Sequence, residues 1–121
     1  MENTIIHAIT KVYGILGYGL TETIYHKALV IELRNHFKIV EPEKPVSIIY
    51  EDHNVATLRA DILINKTFLL ELKATTKLTE KDEIQTKRYM KILNVNKGIL
   101  VNFNKDLEIK EIIQWIYIEN G

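Results

Sequence analysis

The stretch from Arg59 to Ala74, RADILINKTFLLELKA, decides the fold. Asn65-Lys66 is a turn signal between two apolar runs, so the stretch reads as two strands of a hairpin. The second arm, Thr67 to Ala74, is apolar on both parities except at Glu71 and Lys73, the pattern of a central strand covered on both faces. Glu71 and Lys73 are two apart and share one face, and Asp61 interrupts the first arm in the same way. Buried alone, such groups are costly unless they meet each other, a metal or another partner. With a three-residue loop, Asn65 to Thr67, positions 61 and 71 pair directly and their carboxylates point the same way; a two-residue loop sets them on opposite faces. The bland account is an edge hairpin with a solvated acid and base.

Working outward, Ile5, Ile6, Ile9, Val12, Tyr13 and Leu16 recur at helical spacing, predicting a first helix over 3–16 with Asn3 or Thr4 as N-cap. A second helix is expected from Gly19–Thr21 to about Phe37, on a stripe through Tyr25, Leu29 and Leu33, ending before the punctuation of Pro42 and Pro45. Val46 to Tyr50 and Val55 to Ile64 read as strands around a turn at Asp52-His53-Asn54. Leu78 to Asn94 turns helical, with Thr79 as N-cap and Glu80, Asp82 and Glu83 at the positive end of its dipole. Lys97 to Asn102 is a buried strand, and 109–118 is read as a last one, although its pattern also fits a helix. This order predicts an α/β fold, a mixed central β-sheet flanked by helices.

The chain has 121 residues, 16 Lys+Arg against 16 Asp+Glu, and no Cys. That length suits one domain over 1–121 with a single core. Without Cys there is no disulfide framework, thiolate zinc site or cysteine nucleophile, so any metal is left to carboxylates, His or carbonyl oxygens. No apolar run is long enough for a membrane span, and the N-terminus lacks the basic and apolar regions of a leader, so no membrane association and a cytoplasmic location are expected. Zero net charge removes a global basic field, but 73–97 carries seven bases against three acids, in keeping with a solvated helix face or a local basic patch.

Asp61, nine residues, Glu71-Leu72-Lys73, then Gln85 and Tyr89 at i and i+4 on a helix resembles the active-site signature of the PD-(D/E)XK nuclease superfamily, with Ala60 where that name has proline. Upstream, Gly19-Leu20-Thr21-Glu22-Thr23-Ile24-Tyr25 resembles the G-x-x-E-x-x-Y motif of the GxxExxY proteins, a branch of that superfamily. The likeness continues through Leu29–Arg34, Arg59–Asp61, Glu71–Ala74, Gln85–Tyr89 and Val101–Asn104, and several motifs in order are stronger than any one. It implies a restriction-endonuclease-like core.

The resemblance further implies a metal-dependent nuclease acting on DNA. Asp61, Glu71 and the backbone carbonyl of Leu72 would hold Mg²⁺ or Mn²⁺, Glu22 would complete the acidic cluster directly or through water, and Lys73 would orient the nucleophile or stabilise the transition state. Supporting roles fall to Gly19 in the turn before the second helix, to Tyr25 as a packing residue with a hydroxyl partner, and to Gln85 and Tyr89 lining the core or meeting a phosphate. Glu22 also suits capping of its helix. Lys81, Arg88 and Lys91 share a face and are the expected phosphate contacts. A small nuclease that engages two strands favours a homodimer. His7, His26, His36 and His53 show no metal-ligand spacing, His26 is expected to point away from Glu22, and Trp115 and Tyr117 are expected in the core by default, or on a dimer surface if the tail is an edge strand. The competing readings are a non-catalytic nucleic-acid-binding or assembly module that keeps the fold, a structural homo-oligomer in which Glu71 and Lys73 pair, and a small-molecule enzyme.

Overall fold

A computed structural model describes residues 1–115. Two helices come first, α1 (Glu2–Leu16) and α2 (Glu22–Arg34), then the strands β1 (Val40–Tyr50), β2 (His53–Ile64) and β3 (Phe68–Lys73). Helix α3 (Glu80–Leu93) crosses over to β4 (Lys97–Asn102), and β5 (Glu108–Ile113) closes the sheet. The five strands lie in chain order, antiparallel throughout except for the parallel pair β3 and β4. Strands β3 and β4 are covered on both faces, as the apolar pattern of 67–74, broken only at Glu71 and Lys73, requires of β3.

Alternate residues of β3 feed two cores. Phe68, Leu70 and Leu72 pack with Ile5, Ile9, Leu29 and Leu33 of α1 and α2. Leu69, on the other face, packs with Tyr89 and Met90 of α3 and with Leu63 and Leu100. At Gly98 the sheet admits no side chain, since a Cβ there would sit 2.8 Å from the Leu69 carbonyl oxygen and 3.1 Å from Met90 Sδ. Among the described residues no helix is long and apolar enough to cross a membrane.

Several local expectations are corrected. Helix α1 starts one residue early, with Met1 as N-cap, so Asn3 and Thr4 lie inside it. Helix α2 stops at Arg34, and 35–37 form a turn in which the Phe37 N–H donates to the Leu33 carbonyl. The helix does end before Pro42 and Pro45, but the strand expected from Val46 begins at Val40, so both prolines lie within β1, an edge strand paired among the described residues only with β2, where half of the amides owe the ladder nothing. Between them Glu43 takes φ 52, and the inside-outside alternation switches there: Val40 belongs to the α1/α2 core and Val46 to the α3 core. The first hairpin turns at Glu51-Asp52, with φ 46 and 65, the two-residue geometry whose twist matches antiparallel strands. His53 already pairs with Tyr50. Trp115 is 85% exposed, not in the core. The strand expected over 109–118 is present as β5 to Ile113; its last residues, Tyr117 among them, lie outside the described residues.

Candidate active site

The β2–β3 hairpin has the three-residue loop. Ile64 lies opposite Phe68, Leu63 opposite Leu69 and Ile62 opposite Leu70, with Asn65 and Lys66 at φ 50 and 59. Continued one step, that register sets Asp61 opposite Glu71, but here the ladder opens and carboxylates take over from carbonyls. The Asp61 N–H donates to Glu71 Oε1 at 2.7 Å, and the Leu72 N–H donates to Asp61 Oδ2 at 2.8 Å. Lys73 turns its carbonyl to β4, accepting from the Phe103 N–H at 2.8 Å, so the alternating backbone turns the Leu72 carbonyl toward β2 and the gap. Glu71 is only 5% exposed, and Asp61 is half-buried.

Lys73, half-buried on the same face of β3 as Glu71, has its Nζ 3.8 Å from Asp82 Oδ1 in the first turn of α3. Asp82 also accepts from the Thr79 N–H at 2.9 Å, and a capping box ties the two residues together. The loop before them is clamped from β4. Buried Asn102 accepts from the Thr75 N–H and donates to the Thr75 carbonyl, both at 2.9 Å, and Asn104 donates to the Thr76 carbonyl at 2.7 Å.

Glu22 is the first residue of α2, and no side chain caps the helix through Thr21. With Thr23, His26, Glu43 and Asp61 it lines a cleft of about 110 Å³. The rest of its motif aims it. Gly17 and Gly19 take φ 72 and 99, which favour glycine, and the Tyr25 hydroxyl staples this loop by donating to the Gly17 carbonyl at 2.6 Å and accepting from the Leu20 N–H at 3.3 Å. The Tyr25 ring is fully buried and stacks on Phe103 at 4.4 Å.

His26 overturns its expectation. It faces the same cleft as Glu22, one helical turn on, and its Nε2–H donates to the Asp61 carbonyl at 3.0 Å. The i, i+4 relation to Glu22 was the signal for it. Glu43, Asp82 and Asn102 were missed as well; of these only Asn102, polar inside KGILVN, announces itself in the sequence. Gln85 donates to the Tyr89 hydroxyl at 2.6 Å, and Tyr89 is buried in the α3 core. Lys81, Arg88 and Lys91 are exposed; Arg88 and Lys91 border a groove against Ser47–Ile49 that shares no residue with the cleft.

Comparison with known families settles the fold's lineage. The family model described as the PD-(D/E)XK nuclease superfamily matches residues 1–114. The chain belongs to the PD-(D/E)XK nuclease superfamily. Among solved structures, one titled "Crystal structure of SSO0001" is similar in fold, with a TM-score of 0.60 and 23% identity over 78% of this chain. The present chain spans half the length of that one. Comparison with curated proteins finds none that matches.

In this superfamily member the charges are strongly coupled. Burial, and then the charge of Asp61, pushes the Glu71 carboxyl up to about 9. Burial raises Asp61 too, opposed by the Leu72 N–H, so at this pair burial and mutual repulsion both favour the protonated form. Glu22 is raised by burial of its carboxyl and then by Asp61, although the residue as a whole is exposed. Tyr89 is raised by burial and then by Glu71, which ties the Gln85–Tyr89 pair electrostatically to the acids. Among the described residues no three His, Cys, Asp or Glu side chains stand close enough to form a ready-made metal cluster. Two carboxyls meet here, with the Leu72 carbonyl turned toward them by strand alternation, an all-oxygen set that suits a hard divalent cation, whose charge would favour their ionised form.

Proposed function

We propose that this chain is a metal-dependent nuclease that hydrolyses phosphodiester bonds, in DNA by preference, with Glu22, Asp61, Glu71 and Lys73 as its catalytic residues. One observation carries the reading: Asp61 and Glu71 meet where the β2–β3 ladder opens, and each carboxylate takes a backbone N–H in place of a carbonyl. A fold gains nothing from placing two carboxyls there for stability, since their burial costs more than the two bonds return. The order of motifs adds the finer affiliation to the GxxExxY branch, in which Gly19 and Tyr25 set the loop that aims Glu22.

Asp61, Glu71 and the Leu72 carbonyl would hold Mg²⁺ or Mn²⁺, with Glu22 across the cleft reaching it through water. Such an ion, when bound, neutralises charge on the phosphate and makes water a better nucleophile. Lys73 presents an ammonium beside the carboxyl pair, where it holds the attacking water or meets the negative charge growing on phosphorus; Asp82 orients it from α3. His26 keeps Asp61 in place through its backbone carbonyl. Gln85 and Tyr89 support Glu71 from the α3 side, and Lys81, Arg88 and Lys91 contact phosphates outside the cleft. A homodimer would supply a second site for the opposite strand.

The test is cleavage of labelled duplex, single-stranded, nicked, flap and four-way-junction DNA and of matching RNA, with Mg²⁺ or Mn²⁺ beside EDTA. Metal-dependent cutting that falls by at least about a hundredfold in Glu71→Ala is expected. Intact binding without any cutting, indifferent to metal, would replace this reading with that of a non-catalytic nucleic-acid-binding module.

A further inference from the structure

Beyond the α3 bases, a second surface leads directly out of the acidic cleft. The cleft shares Thr23, His26 and Glu43 with a groove of about 440 Å³ between the outer face of α2 and the edge strand β1. That groove shares Arg34 with a further depression of about 570 Å³, bordered by Lys38, at the turn between α2 and β1. The three form one track along α2, whose 13 residues span about 20 Å.

Charge along the track is segregated. The acids Glu22 and Asp61 lie in the cleft, and Glu43 stands where the cleft meets the groove. Farther out the charged groups are Lys27, Arg34 and Lys38, all exposed, and among the described residues none of the three is in an ion pair. The nearby acids Glu32 and Glu41 are occupied by Lys11 with His36 and by Lys44 with Lys66, respectively. Between the cations the wall is apolar, formed by Val30, Ile31 and Pro42, with Ile31 69% exposed.

We infer that this α2–β1 groove seats a single strand of nucleic acid leading into the active site, with phosphates on Lys27 and Arg34 and bases against Val30, Ile31 and Pro42. The inference rests on the nuclease reading and names the form of substrate that its site takes. A free strand offers both charged phosphates and apolar base faces, which the mixed lining matches; a duplex keeps its bases stacked inside and offers phosphates alone. Lys27 and Arg34 are seven residues apart, two helical turns, so they meet successive parts of the same strand. Of the α3 bases, Arg88 and Lys91 border a groove that shares no residue with the cleft, so their phosphate contacts lie apart from the strand seated along α2.

Binding is measured by fluorescence anisotropy with short labelled single-stranded DNA, single-stranded RNA and duplex DNA, across a salt series. A Glu71→Gln background prevents turnover while keeping Oε1 as the acceptor for the Asp61 N–H. Adding Lys27→Ala with Arg34→Ala should weaken single-strand binding about tenfold and flatten its log–log salt slope by about 1.4, or 0.7 per lost contact. Duplex binding should change less, and the two single-stranded probes distinguish DNA from RNA as the source of the strand. Both substitutions are at exposed positions, and circular dichroism verifies the fold. Unchanged single-strand binding in the double variant, or an equal loss for duplex, overturns the groove assignment and leaves the nuclease reading standing if the parent protein cleaves. Failure of the parent to bind any probe, together with failure to cleave, removes both.

Discussion

Glu71 has Asp61 for a neighbour in place of water, and that fact sets how the protein responds to pH. The folded pair keeps a proton that the unfolded chain, with Glu71 at its ordinary 4.5, would release. The stability linked to this proton is complete below about pH 4.5 and is lost as pH rises toward 9. Thermal unfolding in EDTA should therefore show Tm falling across that window. Glu71→Gln should flatten the decline, because the amide carries no charge to bury, whereas an undiminished slope would locate the proton elsewhere. Mg²⁺ should restore Tm most at the alkaline end, where no proton competes for the carboxylates. At this scale the sequence disclosed a good deal: period-two alternation put Glu71 and Lys73 on one face and tied the pairing of Asp61 with Glu71 to a three-residue loop, which the structure has. His26 was legible through its i, i+4 spacing from Glu22, which the expectation that it points away from Glu22 passed over. Glu43 was not legible, because its place in the cleft depends on a local switch in an edge strand.

Helix α3 shows what a single element contributes. Its capping box, between Thr79 and Asp82, starts the helix at the point where Asp82 also meets Lys73. Thr79→Ala should cost about 1 kcal/mol of stability, read in urea unfolding. If Asp82 also orients Lys73, the same change should lower kcat with KM nearly unchanged; a stability loss alone would reduce the cap to a purely structural feature. The far side of the helix is held closely against the sheet at Gly98. Gly98→Ala should destabilise by about 1 to 3 kcal/mol, because the Leu69 backbone cannot retreat as a side-chain end could; a neutral result would mean that α3 moves away without cost. The cap was plain in the sequence because it is local. The sequence pattern starts β1 too late, at Val46, for the opposite reason: proline breaks a central strand but not an edge, and edge position is a property of the sheet.

Over the whole molecule, stability is unevenly shared. The outer half of the β1–β2 hairpin projects past β3, which pairs with β2 only at 62–64, and most of 47–59 is exposed. Amides of 54–58 should exchange with solvent orders of magnitude faster than those of 69–72 and 99–101, whose strands are buried on both faces. Hydrogen exchange followed by mass spectrometry measures this, and uniform protection would mean that the projecting arm is covered, as it would be in a homodimer. Helices α1 and α2 on one face and α3 on the other also explain how the candidate site is built: the N-termini of α2 and α3 bring Glu22 and Asp82 to opposite sides of the opened hairpin.

The sequence by itself determined what depends on near neighbours: the alternation of strand faces, the turn at Asn65-Lys66, the cap of α3 and hence that Asp61 pairs with Glu71 if the loop has three residues, which the register shows it has. Only the tertiary structure decided that the ladder opens at that pair, that Glu22 and His26 reach it from 35 or more residues away, and that a groove with segregated charge runs out along α2. Alternation and turn geometry act over a few residues and leave a local pattern. The relative placement of helices on the two sheet faces is set by how both cores pack at once, and no short stretch of chain carries that information.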